Sequence, residues 1–219
     1  MKKIVVAVAL AVLGTVSASA AHINCANVGS SSGSRTLDAF IALGTHGCVD
    51  QDKTYSGFSY TGGGTVTASE VQVSIGTTVL PGVDQHSVGF QPTFGAWVTQ
   101  FAIDFNIAIA PPVPGTFMET VAFDITAPGP INVSTATMSN TPDAGAAFVL
   151  NASTTADDFK TGLDAQSIAV AISGIPSGGT INQVTSTFFQ QVAAPIPEPG
   201  TLMSIGLGFL ALGLYRRHR

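Results

Sequence analysis

Few side chains in this 219-residue sequence are of a type and spacing suited to chemistry. Cys25 and Cys48 are the only two cysteines. An even count in an oxidising compartment favours a disulfide, with a single pairing available. Closing a loop of about 24 residues is worth roughly 3 kcal/mol in the chain-entropy model. A redox pair would be spaced Cys-x-x-Cys, and although His22 and His46 lie near the cysteines, the spacing matches no zinc finger. Glycoside hydrolysis needs two carboxyls across a cleft. Asp104 and Glu119, on neighbouring expected strands, are the best-placed pair, although an outward-facing acid accounts for Asp104 equally well. Asp50-x-Asp52 and Asp157-Asp158 could hold Ca2+ with backbone carbonyls, but no twelve-residue calcium loop is present. Trp97, two residues after Gly95, could stack on a sugar ring and, with Asp104, forms a candidate ligand face; a single tryptophan in a β domain is more often core or rim. Gly29-Ser30-Ser31-Ser32-Gly33 lacks the spacing of a nucleophile elbow and reads as a loop. His46 and His86 read as surface or loop residues. No catalytic residue, metal or required cofactor is assigned, and the chain is expected not to be an enzyme.

The elements that must position these residues are mostly strands. The central part is rich in Gly, Ser, Thr, Val and Phe and poor in Lys, Glu and Leu, a composition that suits half-buried pleated surfaces. One short helix is expected early, capped by Thr36, with Leu37, Phe40, Ile41 and Leu43 on one face and Gly44 as its stop. Period-two patterning follows. Thr54 to Thr61 and Thr65 to Ile75 read as strands around Gly62-Gly63-Gly64, the second with Val71, Val73 and Ile75 on one face. Val98 to Ile109 is the clearest strand, alternating Phe101, Ile103, Phe105, Ile107 and Ile109 with small or polar residues. Thr116 to Thr126 places Phe117, Glu119, Val121, Phe123 and Ile125 at alternate positions. Further strands are expected at Ile131 to Met138, Ala146 to Ala152, Gln166 to Ser173 and Thr180 to Val192. This spacing, with Gly and Pro breaks, predicts one antiparallel β-sandwich of jelly-roll or immunoglobulin-like type, with a small β-barrel as the alternative.

Both chain ends carry targeting patterns. Lys2-Lys3, the apolar run Ile4 to Val16 and the small-residue site Ala18-Ser19-Ala20 make a secretory signal peptide of residues 1–20, read by the Sec machinery and signal peptidase. At the other end, Pro197-Glu198-Pro199 precedes an uncharged run from Gly200 to Tyr215 and the basic tip Arg216, Arg217 and Arg219. The prolines hold their block extended for a processing enzyme. The arginines would stay at the cytoplasmic face while the apolar run enters the bilayer as a transmembrane sorting helix. About 15 residues at 1.5 Å rise span roughly 22 Å, short of a hydrocarbon core of ~30 Å, which suits a temporary tether.

That arrangement over residues 195–219 resembles the PEP-CTERM sorting signal of Gram-negative bacteria. The resemblance implies recognition by an exosortase, an integral membrane transpeptidase that cuts near the motif. A Gram-positive sortase signal would need a Leu-Pro-x-Thr-Gly block, which Ile196-Pro197-Glu198-Pro199-Gly200 lacks. The body is also similar to that of some PEP-CTERM proteins, in Leu37 to Leu43, Gly47-Cys48, Asp52-Lys53-Thr54 and Tyr55-Ser56-Gly57-Phe58-Ser59-Tyr60, and this second likeness implies no catalytic chemistry.

Between the two signals lie residues 21–194, enough for one secreted domain with its own core. Of the eight basic residues only Arg35, Lys53 and Lys160 fall in it, against twelve of the thirteen acids. Such a surface repels phosphate backbones, so nucleic-acid binding is excluded. The expected role is that of an exported envelope or extracellular-matrix protein associated with exopolysaccharide or biofilm, anchored transiently in the inner membrane before reaching the cell surface or matrix. The alternative is a secreted carbohydrate-binding module or glycan-active enzyme.

Overall fold

A computed structural model describes residues 22–29, 35–112, 114–127, 134–153, 156–176 and 178–191. The signal peptide and the whole sorting tail, including Pro197, Glu198, Pro199, Arg216, Arg217 and Arg219, lie outside the described residues. Among the described residues, no helix is long and apolar enough to cross a membrane.

Among the described residues, twelve strands and one short α-helix follow one another as β1 (Ile23–Asn24), α1 (Leu37–Ile41), β2 (Cys48–Asp50), β3 (Lys53–Gly62), β4 (Val71–Leu80), β5 (Val83–Pro92), β6 (Phe101–Ile109), β7 (Phe117–Thr126), β8 (Thr135–Pro142), β9 (Phe148–Ser153), β10 (Asp158–Lys160), β11 (Ser167–Ile175) and β12 (Gln183–Gln191). They form a sandwich of two sheets, one in the order β1-β2-β3-β6-β11-β8-β9 and the other β10-β7-β12-β5-β4. All pairings are antiparallel except the short β1 to β2 pair. The two sheets stay distinct, so the expected sandwich is found and the barrel alternative is not.

Alternation explains the packing. In β6, Phe101, Ile103, Phe105, Ile107 and Ile109 are buried while Asp104 and Asn106 face solvent. Between the sheets, Phe58 packs edge-on to Phe40 at 5.1 Å and stacks on Phe105 at 5.7 Å, and Phe105 meets Phe188 edge-on at 6.3 Å. Each fully buried aromatic of this kind contributes about 1.5–3 kcal/mol. The register of β3 slips between Ser56 and Ser59 against β6, and Gly57 takes φ +64 there. That extra residue lets Tyr55 and Phe58, three apart, both point inward.

Three expectations about elements are corrected. Val83–Pro92 was not foreseen as a strand, because Asp84, Gln85, His86 and Gly89 dilute its apolar signal. Residues 65–70 are not strand; Ala68–Glu70 is a 3-10 turn closed by a capping box between Thr67 and Glu70. Thr36 starts α1, but its side chain makes no capping hydrogen bond. Leu37 and Phe40 are buried as expected, and Cys25 and Cys48 are joined in a disulfide.

Candidate functional site

Near one end of the sandwich the inward-facing positions change from apolar to polar. Along β5 the buried parity that carries Val88 and Phe90 reaches His86 and then Asp84. Along β12 the parity of Val184, Ser186 and Phe188 reaches Gln190. Lys53 opens β3 two residues before Tyr55 on the same face, and Asp50 and Asp52 flank the tight β2–β3 turn, where Gln51 takes φ +53. Lys53 and His86 have no exposed surface and Gln190 has 3%.

Asp52 ties the group together. Its Oδ1 accepts from Lys53 Nζ at 2.8 Å, and its Oδ2 accepts from Gln190 Nε2 at 2.8 Å. Lys53 Nζ also donates to Gln190 Oε1. His86 Nε2 stands 3.6 Å from Asp52 Oδ1, while its Nδ1 pairs with Thr77 Oγ1 at 3.0 Å. The same Thr77 hydroxyl lies 2.8 Å from Asp50 Oδ2. Tyr55 Oη, Asp84 Oδ1 and His86 Nε2 are buried without a hydrogen-bond partner. Of Lys53, Asp52 and Gln190, it is Asp52 that reaches solvent, with 36% of its side chain exposed.

Burial governs the electrostatics. It depresses the Lys53 ammonium below its ordinary value, with Asp52 opposing, and holds His86 down at about 4, helped by the Lys53 charge. Burial pushes Asp52 upward, but the hydrogen bonds from Lys53 and Gln190, with the Lys53 and His86 charges, outweigh it and leave the carboxyl low. Tyr55 is pushed far up by burial and by Asp50 and Asp52. A buried amine, an amide and a carboxylate touching both can move a proton between two nitrogens.

The remaining candidate residues are scattered. Trp97 is fully buried; its Nε1 donates to Tyr60 Oη at 3.0 Å and its ring stacks on Phe101 at 4.0 Å. It therefore belongs to the core and to no ligand face, because its backbone pairs with Ile181 and draws the indole between the sheets. Asp104 is exposed on the outer face of the seven-stranded sheet, where it accepts from Ser59 Oγ at 2.7 Å. It borders a shallow groove of about 260 Å³ with Asn106, Ser139 and Thr141. Glu119 is exposed on β7, in the other sheet. The two acids thus lie on exposed faces of different sheets and do not meet across one cleft, in keeping with the outward-facing reading of Asp104. Asp158 accepts from the Asn151 and Phe159 amides, burial and then the hydrogen bond and charge of Asp157 raise the Asp124 carboxyl above its ordinary value, and Asp50 and Asp52 serve the interior cluster. Among the described residues no group of three or more His, Cys, Asp or Glu is arranged to hold a metal ion. His22 and His46 are exposed and make no zinc site with the bonded cysteines.

The interior cluster escaped the sequence reading. His86 was expected at the surface, yet its period-two spacing from Val88 and Phe90, and that of Gln190 from Phe188, is the signal that places both inside.

A search of curated proteins finds no match to this chain. Among solved structures it is similar to TmCBM61 in complex with β-1,4-galactotriose, at 11% identity and TM-score 0.34 over 62% of this chain and 88% of the other. It is also similar to the family 11 carbohydrate-binding module from Clostridium thermocellum in complex with a β-1,3-1,4-mixed-linked tetrasaccharide, at 11% identity and TM-score 0.26 over 67% and 91%. Likeness at this level says nothing about a ligand. The family model of the PEP-CTERM protein-sorting motif matches residues 195–219, the same segment that the proline-acid-proline block, apolar run and arginines mark out. Residues 195–219 of the chain thus carry a PEP-CTERM protein-sorting motif, a signal that implies export and sorting by an exosortase.

Proposed function

We propose that this chain is a non-enzymatic envelope or extracellular-matrix protein, associated with exopolysaccharide or biofilm, whose tail tethers it to the inner membrane until an exosortase cuts near Pro197-Glu198-Pro199. The observation that carries the reading is the sorting motif at residues 195–219. The route begins with the Sec machinery and signal peptidase, which remove residues 1–20. Arg216, Arg217 and Arg219 then hold the apolar run in place by staying on the cytoplasmic side. The body that remains has three cations against twelve carboxylates, a charge that keeps an exported domain soluble and apart from other polyanions.

The carbohydrate-active alternative is weakened by the burial of Trp97 and the separation of Asp104 from Glu119. The test is fractionation with intact-mass measurement in cells with and without the sorting peptidase. Loss of residues 200–219 from the exported form, only when the peptidase is present, is the expected result. An exported protein that still contains Arg219 would overturn the reading.

A further inference from the structure

The arrangement of Lys53, Asp52 and Gln190 is that of an amide-exchange site caught with all its parts in contact. We propose that Lys53 and Gln190 join in an intramolecular isopeptide bond, formed by the protein itself with Asp52 as the proton carrier.

The partners come from distant parts of the sequence and from different sheets, Lys53 from β3 and Gln190 from β12, 137 residues apart. Lys53 Nζ touches Gln190 Oε1, and the carbon to be attacked is bonded to that oxygen. Nothing must be recruited, so the reaction benefits from the large effective concentration of groups held in place. Asp52 contacts the attacking nitrogen through one oxygen and the departing nitrogen through the other, each at 2.8 Å.

The chemistry balances within the site. Asp52 takes a proton from the Lys53 ammonium, leaving a neutral amine whose lone pair attacks Gln190 Cδ. A bond forms from Nζ to Cδ and the carbonyl oxygen takes up the displaced electron pair. Asp52 passes its proton to Nε2, the Cδ–Nε2 bond breaks as the carbonyl re-forms, and the remaining extra proton on Nζ follows through Asp52. The products are a secondary amide, an ammonium ion and an Asp52 carboxylate; no oxidant, reductant or metal takes part. Burial favours the reactive neutral amine, as it does for other nucleophilic lysines, and depresses the Lys53 ammonium here. His86 Nε2 and Tyr55 Oη are buried without hydrogen-bond partners, and His86 Nε2 stands 3.6 Å from Asp52 Oδ1, the oxygen that contacts Lys53. Of the three reacting residues Asp52 is the one at the solvent boundary, which gives the ammonium ion a way out.

The bond would also close the domain where it matters mechanically. Gln190 lies at the end of the last strand, directly before the segment that leads to the sorting signal. A pull through a C-terminal attachment would reach Lys53 through the cross-link before β12 could peel away.

The test is mass analysis of the exported full-length gene product, with termini defined by peptide mapping. The expected wild-type mass is lighter than the sequence by one ammonia, beyond the two hydrogens lost at the disulfide, and a chymotryptic digest contains a branched peptide joining the segments that hold Lys53 and Gln190. Asp52→Asn keeps both partners and is expected to retain the ammonia, as is Gln190→Ala. A wild-type mass showing the disulfide loss alone overturns the proposal, as does loss of ammonia without the branched peptide. If Asp52→Asn still forms the bond, the assignment of Asp52 as carrier is overturned. Should either variant fail to accumulate, the wild-type mass and branched peptide decide the matter alone.

Discussion

Acidification should destabilise this domain through His86, and the size of the effect follows from its burial. The ring has no exposed surface and is held at about 4, against an ordinary value of 6.5. A histidine with a depressed folded-state value binds fewer protons folded than unfolded between those two pH values. Its stabilising contribution is therefore complete above about 6.5, shrinks as pH falls, and is gone near 4. At about 1.36 kcal/mol per pH unit, the full loss is about 3 kcal/mol, with about 2 kcal/mol already lost by pH 5. The charged groups facing the ring are Asp50, Asp52, Lys53 and Asp84; burial, reinforced by the Lys53 charge, outweighs the three carboxylates. Asp52 also sits low, so its own protonation falls below its ordinary value of 3.8 and outside the window. Asp124 is raised and acts in the opposite sense, but equally in any His86 variant. The measurement is urea unfolding of wild type and His86→Gln at pH 7, 6, 5 and 4.5, with the ring's own titration followed by NMR. The stability gap between the two proteins should narrow as pH falls. Parallel pH profiles, or a His86 ring titrating near 6.5 in the folded protein, would refute the reasoning.

Two further outcomes are expected. Replacing Cys25 and Cys48 together by serine should lower stability by about 3 kcal/mol, checked by urea unfolding, because it opens the loop that the bond closes between the end of β1 and the start of β2. Trp97→Ala should cost about 3–5 kcal/mol, measured the same way, since it removes a fully buried indole from Phe101 and leaves Tyr60 Oη without its donor; glycan retention should not change, because the ring faces no solvent.

Much of the fold was legible in local pattern. The run from Phe101 to Ile109 alternates so cleanly that its buried face could be named residue by residue, and Leu37 with Phe40 marked the helix. Val83–Pro92 was not legible, because a strand whose inward positions include Asp84 and His86 carries no hydrophobic signature; only the neighbours that pair with those groups make the burial tolerable. Position along the chain also misled for Asp104 and Glu119. Strands next to each other in sequence fell into different sheets, since the connection between β6 and β7 crosses the sandwich instead of turning within a sheet.

What the sequence by itself determined is the sorting signal and the chemical inventory: the Pro197-Glu198-Pro199 tail and an acidic body with one cysteine pair, each readable because it acts as a linear or compositional signal. What only the tertiary structure decided is which residues meet. Lys53 and Gln190 are separated by 137 residues and become neighbours solely because β3 and β12 face each other across the two sheets. Trp97 turned inward and Asp104 outward for the same reason. A side chain's chemistry is fixed by its atoms, but its reactivity is set by the solvent it loses and the partners it gains, and both come from long-range packing.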